Sequence, residues 1–371
     1  MMEQYYWAAL AALLGYGAPQ QLKHLLACFG TAEQAFTASQ NELSRPGLLT
    51  PALLRHWQQG WQADLPDRIY EYCETHGVHI LTLLDAQYPE RLRQLSDPPP
   101  VLYVKGTLPD LDNALAMVGS RKATPYGSGN AEKFAGYLAK HGIPIISGGA
   151  YGIDAASHKG ALEGGGATVA VLGGGFEHLY PARHVRLFDR ICTAGALVTE
   201  FAPWVESLAL HFPLRNRIIV GLSKAVLVVE AALKSGAMIT AHVAVEENRD
   251  VYAMPGLITS PVSQGTHRLI QEGAHLVTSP QEVLHLLQPE KAEQPEEIEQ
   301  QALFTEKDSL SYTGSLPGKV YDWLTRQAEP QSLETVAEQF PHSLAELTTA
   351  LLELELTNKV RKGPADKYYV I

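Results

Sequence analysis

Cysteine is scarce in this chain. There are three in 371 residues, Cys28, Cys73 and Cys192, and they lie far apart. That spacing makes neither a disulfide framework nor a metal site, and it fits a reducing cytoplasm. No apolar run reaches the length that spans a bilayer. The opening Met-Met-Glu-Gln-Tyr-Tyr is not the basic start of a secretory signal. The chain holds no G-x-G-x-x-G and no G-x-x-x-x-G-K-[ST], so neither a nicotinamide dehydrogenase nor a P-loop ATPase is supported. No nucleophile–base pair and no metal constellation stands out, and the residues give no reason to expect a cofactor. Cations are in deficit as well. The net charge is −11, which taken alone argues against a nucleic-acid partner, because phosphate contacts need cations. Residues 290–308, however, hold seven acids and two lysines. Much of the deficit sits there, which leaves room for a basic cleft elsewhere.

What is present is an ordinary globular composition, 46% hydrophobic and 19% charged, in a chain long enough for two or three domains. Residues 1–80 show helical periodicity, as in Leu10, Leu13 and Leu14, then Leu22, Leu25, Leu26 and Phe29. They read as a small helical domain of sterile-alpha-motif or helix-hairpin-helix type, turned at Gly15 to Pro19. Residues 81–288 alternate short apolar strands with helices. This predicts an α/β fold, a doubly wound, Rossmann-like parallel sheet covered on both faces. Residues 289–313 are an acidic, Gln- and Pro-containing linker. Residues 314–371 predict three helices and a hairpin, a winged helix with cations at Lys359, Arg361, Lys362 and Lys367.

The glycine clusters all follow the carboxyl ends of predicted strands, where open α/β sheets bind ligands. Gly119-Ser120-Arg121 ends the first, and its arginine suits a bidentate grip on phosphate. Ser147 to Asp154, with Gly149 inside it, ends the second. Gly173-Gly174-Gly175 ends the third. Phe212-Pro213-Leu214-Arg215-Asn216-Arg217 opens a helix, and Lys234-Ser235-Gly236 opens another. Small-residue turns at helix starts offer free N–H groups to an anion. Phe212 reads either as a stacking platform for a base or as a core phenylalanine. Arg215 and Arg217 lie roughly 200° apart on a helix, so one faces phosphate and the other pairs with Glu200 or Glu230. Asp154 reads as a helix-dipole or cap residue, and His178 as a surface histidine.

These motifs, in this order, closely resemble the DNA-processing protein A family. The likeness also takes in Glu230-Ala-x-x-Lys234-Ser-Gly-x-x-Ile-Thr-Ala and Gly265-Thr-His-Arg-Leu-Ile270. It covers about residues 80–280, with His267 standing where the pattern usually carries Asn. The resemblance implies a cytoplasmic, non-enzymatic protein that binds and protects incoming single-stranded DNA and loads RecA recombinase during natural transformation. It implies a homodimer without membrane attachment, and a pocket of Ser120, Arg121, Gly149, Phe212, Arg215, Asn216, Arg217 and Lys234. Leu269, Ile270 and Leu276 read as the dimer edge near the last strand. The same kind of sheet also resembles nucleotide phosphoribohydrolases of the lysine-decarboxylase-like group, with Glu200 or Glu230 as the catalytic carboxylate. The Pro-Gly-Gly-x-Gly-Thr signature of that group is absent.

Overall fold

The computed structural model describes residues 2–15, 19–289, 315–327, 329–357, 359–363 and 367–370. They form two separate compact units, Met1–Glu293 and Gln294–Ile371. The first unit opens with six helices: α1 (Glu3–Leu14), α2 (Pro19–Phe29), α3 (Ala32–Phe36), α4 (Gln40–Leu43), α5 (Pro51–Gly60) and α6 (Leu65–His76). Their starts are written in the sequence. Thr31, Ser39 and Thr50 each accept a hydrogen bond from the backbone of the first turn they cap.

A long α/β run follows. In order it contains β1 (Val78–Thr82), α7 (Glu90–Arg93), β2 (Val101–Gly106), β3 (Leu115–Val118), α8 (Pro125–Lys140), β4 (Ile145–Ser147), α9 (Ile153–Glu163) and β5 (Thr168–Val171). Two short 3-10 turns, Phe176–His178 and Ala182–His184, lead to α10 (Val185–Ala194) and β6 (Ala196–Thr199). Then come α11 (His211–Gly221), β7 (Ala225–Val228), α12 (Gly236–Glu246), β8 (Asp250–Ala253), α13 (Gln264–Gln271), β9 (His275–Leu276) and α14 (Pro280–Leu287).

Among the described residues these strands make one sheet in the order β1-β2-β6-β5-β4-β3-β7-β8-β9. From β6 to β9 every pairing is parallel. β1 and β2 are antiparallel additions at the other edge, and the sequence pattern did not reveal them. The central parallel strands β3 to β7 are buried at every position, so they are mostly apolar throughout rather than at alternate positions. Leu115 and Met117 of β3 pack with α8 residues such as Phe134 on one face. Ala116 and Val118 face the opposite core, where α10 and α12 supply Ile191 and Ala241. Trp7, Leu10 and Phe36 of the N-terminal helices belong to that second core too, so these helices share their buried interior with the sheet. The strand order turns back at β3, between β4 and β7, which is where the fold opens a crevice.

The second unit contains α15 (Leu316–Leu324), β10 (Gln331–Ser332), α16 (Leu333–Gln339), α17 (Leu344–Leu356), β11 (Val360–Lys362) and β12 (Lys367–Val370). β12 lies between β10 and β11, antiparallel to both. The expected linker 289–313, beyond Pro289, and the hairpin turn at 364–366 lie outside the described residues. Among those described, no helix is long and apolar enough to cross a membrane.

Candidate functional site

A cleft of about 580 Å³ opens at the turn-back of the sheet. Residues just beyond β3, β4 and β7 and the start of α11 line it, including Ser120, Arg121, Ala150, Phe212, Arg215, Asn216, Ser235 and Gly236. Its walls are tied through the backbone. The Ser120 amide donates to the Glu230 carbonyl (2.8 Å), and the Ile153 amide donates to the Ser120 carbonyl (3.2 Å). Gly152 sits at φ +75°, and a Cβ there would collide with the backbone of Ser120 and Arg121. Only glycine allows both that conformation and that approach.

Arg121 is exposed, and its guanidinium lies 4.8 Å from the centre of the Phe212 ring. No described carboxylate forms an ion pair with it. Phe212 is half-buried. Its ring passes over Gly173, where a Cβ would come within 2.9 Å, and tilts against Tyr180 at 5.6 Å. Phe212 is thus supported from beneath but is not a core residue. Arg121 against its face is a cation–π pair.

Arg215 and Arg217 take different jobs. Arg215 is 3% exposed and lies at the cleft. It donates to the Gly148 carbonyl (2.8 Å) and to the Val171 carbonyl. Asp154, also buried, accepts from the amides of Gly148 (3.2 Å) and Ala150 (3.3 Å). Burial pulls the Arg215 guanidinium down to about 10, opposed by the Asp154 charge, while nearby Arg121 lowers it further. Burial raises the Asp154 carboxyl, opposed by Arg215. Arg215 therefore braces the 148–150 loop and brings one charge under the cleft. Arg217 points elsewhere. It binds Glu200 at 2.6 Å and Asp97 at 3.5 Å, so Glu200 is its partner rather than Glu230. Burial lifts the Glu200 carboxyl, against the pull of Arg217.

The other expected residues are placed as follows. Ser120 accepts from the Lys122 amide (3.1 Å) through Oγ. Gly149 turns at φ +67° with its carbonyl on His184 Nδ1 (2.9 Å). Lys234 is exposed, one residue before the cleft-lining Ser235. Ser235 is the N-cap of α12, yet its hydroxyl is buried, makes no cap bond and has no partner among the described residues. The first-turn N–H groups of α12 thus lack their usual side-chain acceptor. His267 Nε2 lies against the Gly256 carbonyl at 3.1 Å.

Residues 79–288 match the model of the family described as DNA recombination-mediator protein A. The chain belongs to that family. It is 41% identical to the protein Smf of Escherichia coli strain K12 over 79% of this chain and 78% of that protein. A solved structure of DNA processing protein A from Streptococcus pneumoniae superposes with a TM-score of 0.65 at 36% identity, covering 76% of this chain and 96% of that one. The Helicobacter pylori protein, whose structure is described for its single-stranded DNA binding mode, gives a TM-score of 0.52 at 28% identity, over 57% and 96% of the two chains.

The family match contains the whole cleft. It also contains the three residues expected at a dimer edge, and one of these is corrected. Leu269 is 3% exposed and packs in the sheet's core, so it has no surface to give a partner. Its helical spacing marked an apolar side without saying what that side covers. Ile270 is half-buried, and Leu276 on the edge strand β9 is 51% exposed. A residue that the sequence left unremarked is Thr124. Thr124 caps α8 and gives both its amide (3.0 Å) and its hydroxyl to the Glu230 carboxylate. The Thr124-Pro125 pair is a helix-start signal.

Proposed function

We propose that this protein binds single-stranded DNA in the cleft between β3, β4, β7 and α11, as a binding protein and not as an enzyme. The observation that carries the reading is Arg121, a cation free of any described carboxylate, lying on the Phe212 ring at a crevice of free helix N–H groups. A phosphate at Arg121 and Ser235, with a base on Phe212, uses each of these groups. Single strands suit this arrangement because their bases are free to leave the stack, whereas duplex bases are not. Arg215 supports the loop and adds charge, Asn216 and Lys234 border the strand, and Arg217 holds α11 to Glu200.

The phosphoribohydrolase reading needs a carboxylate free to reach substrate. Glu200 is engaged by Arg217 and Glu230 by Thr124, which favours binding over catalysis. The family resemblance extends the proposal to a cytoplasmic protein that protects incoming DNA and loads RecA recombinase in natural transformation. It extends also to a homodimer through the β9 edge at Ile270 and Leu276, with a helical N-terminal module and a C-terminal winged helix as accessories. The test is an anisotropy titration of labelled oligo-dT with unlabelled competitors. Single strands should displace it and duplex of equal length should not. Equal competition by duplex, or release of free base from nucleoside monophosphates, overturns the reading.

A further inference from the structure

Tyr151 belongs to no function described above. It stands in the turn after β4 and is 39% exposed. The turn is fixed. Gly149 and Gly152 take positive φ, Asp154 binds the Gly148 and Ala150 amides, and Gly152 presses on the backbone of Ser120 and Arg121. Tyr151 is therefore one residue from the contact with the Arg121 backbone, while Phe212 sits under the Arg121 guanidinium. The Tyr151 ring is held as well. His184 meets it edge-to-face at 4.9 Å and 73°, and His184 is itself anchored to the Gly149 carbonyl (2.9 Å) and set against Phe188 (6.1 Å). A T-shaped contact engages at most one face of each ring. Flanking His184 in the chain are Arg183 and Arg186, both exposed and unpaired with any described carboxylate.

A fixed, exposed aromatic one residue from the Gly152 contact with the Arg121 backbone, with free cations on the element that buttresses it, has the make-up of a single-strand track. We infer that Tyr151, buttressed by His184, is a second stacking position for a base of single-stranded DNA. A phosphate at Arg121 then lies between a base on Phe212 and a base on Tyr151, and the strand runs on toward Arg183 and Arg186. The inference rests on the single-strand reading of the cleft and extends it across the 148–152 turn.

The test measures oligo-dT affinity for the full-length protein carrying Tyr151→Ala, Tyr151→Leu, Tyr151→Phe and, separately, Arg121→Ala. Loss of one stacked base should weaken binding about 5- to 150-fold. Tyr151→Ala and Tyr151→Leu should both show this loss with the salt slope unchanged, because no phosphate contact is removed. Tyr151→Phe should bind as the parent does. Tyr151→Trp should add a fluorescence signal that oligo-dT quenches. If Tyr151→Leu binds as tightly as Tyr151→Phe, the ring face is not used and the inference falls. If Arg121→Ala weakens binding while every Tyr151 variant binds normally, the cleft stands and the second position alone is lost. If the parent protein does not bind oligo-dT, the underlying reading is what fails.

Discussion

Two clefts in the first unit invite comparison. The larger, about 780 Å³, lies beside the antiparallel addition β1–β2 and is lined by Tyr88, Glu90, Arg91, Asp110 and Asp112 among others. The smaller, about 580 Å³, is the one at the turn-back of the parallel sheet. Size would favour the first. Charge favours the second, since Arg121, Lys122 and Arg215 gather there and its one lining carboxylate, Asp154, is buried beside Arg215. In the larger cleft three acids face one arginine, and Arg91 already gives Nη2 to the Asp112 carbonyl (3.1 Å). A polyanion discriminates by sign and by free donors rather than by volume.

The largest effect that would sharpen this contrast is structural. Arg215→Ala leaves Asp154 buried and without its countercharge, and should cost about 3–5 kcal/mol of stability. Urea unfolding measures it, and Arg215→Ala combined with Asp154→Ala should recover part of the loss. A single variant as stable as the parent would remove the brace from under the cleft. Next comes Phe212→Ala, which should lower oligo-dT affinity by about 1–3 kcal/mol while costing less stability than the roughly 3–5 kcal/mol of a core phenylalanine. The reverse pattern, with affinity kept and stability lost, would make Phe212 a packing residue. Smaller again, Arg121→Ala should reduce the magnitude of the salt slope by about 0.7, one phosphate's worth on a single strand. The smallest expected effect lies in the other cleft. Glu90→Gln with Asp112→Asn should leave oligo-dT affinity within about twofold, as surface substitutions away from a site do. A marked gain or loss there would break the comparison, because it would bring the larger cleft into the binding surface.

Much of this was legible in the residues. Glycine clusters after apolar runs placed the loops at the strand ends, and the 3.6-residue period separated Arg215 from Arg217. The period could not say which arginine faced the cleft. That was decided by Glu200 and Asp97, which are distant in sequence and meet Arg217 only in the fold. β1 and β2 carry no clear strand signal in the sequence, because Val78–Thr82 follows directly on a helical stretch and Pro98, Pro99 and Pro100 interrupt the pattern before Val101. Leu269 was misplaced for a related reason. An apolar helix side looks the same in sequence whether it meets its own sheet or a second chain.

The contact of Gly152 with the Ser120–Arg121 backbone, together with the Ser120 bond to Glu230, has a thermodynamic consequence. Three loops that touch main chain to main chain move as one body. On the proposed reading, an incoming oligonucleotide would meet a surface that has already lost its conformational freedom at folding, so association would carry little further ordering cost on the protein side. The flexibility given up would then belong to the DNA. Affinity should then rise steadily as successive nucleotides find a seat, with no threshold length at which the protein itself rearranges.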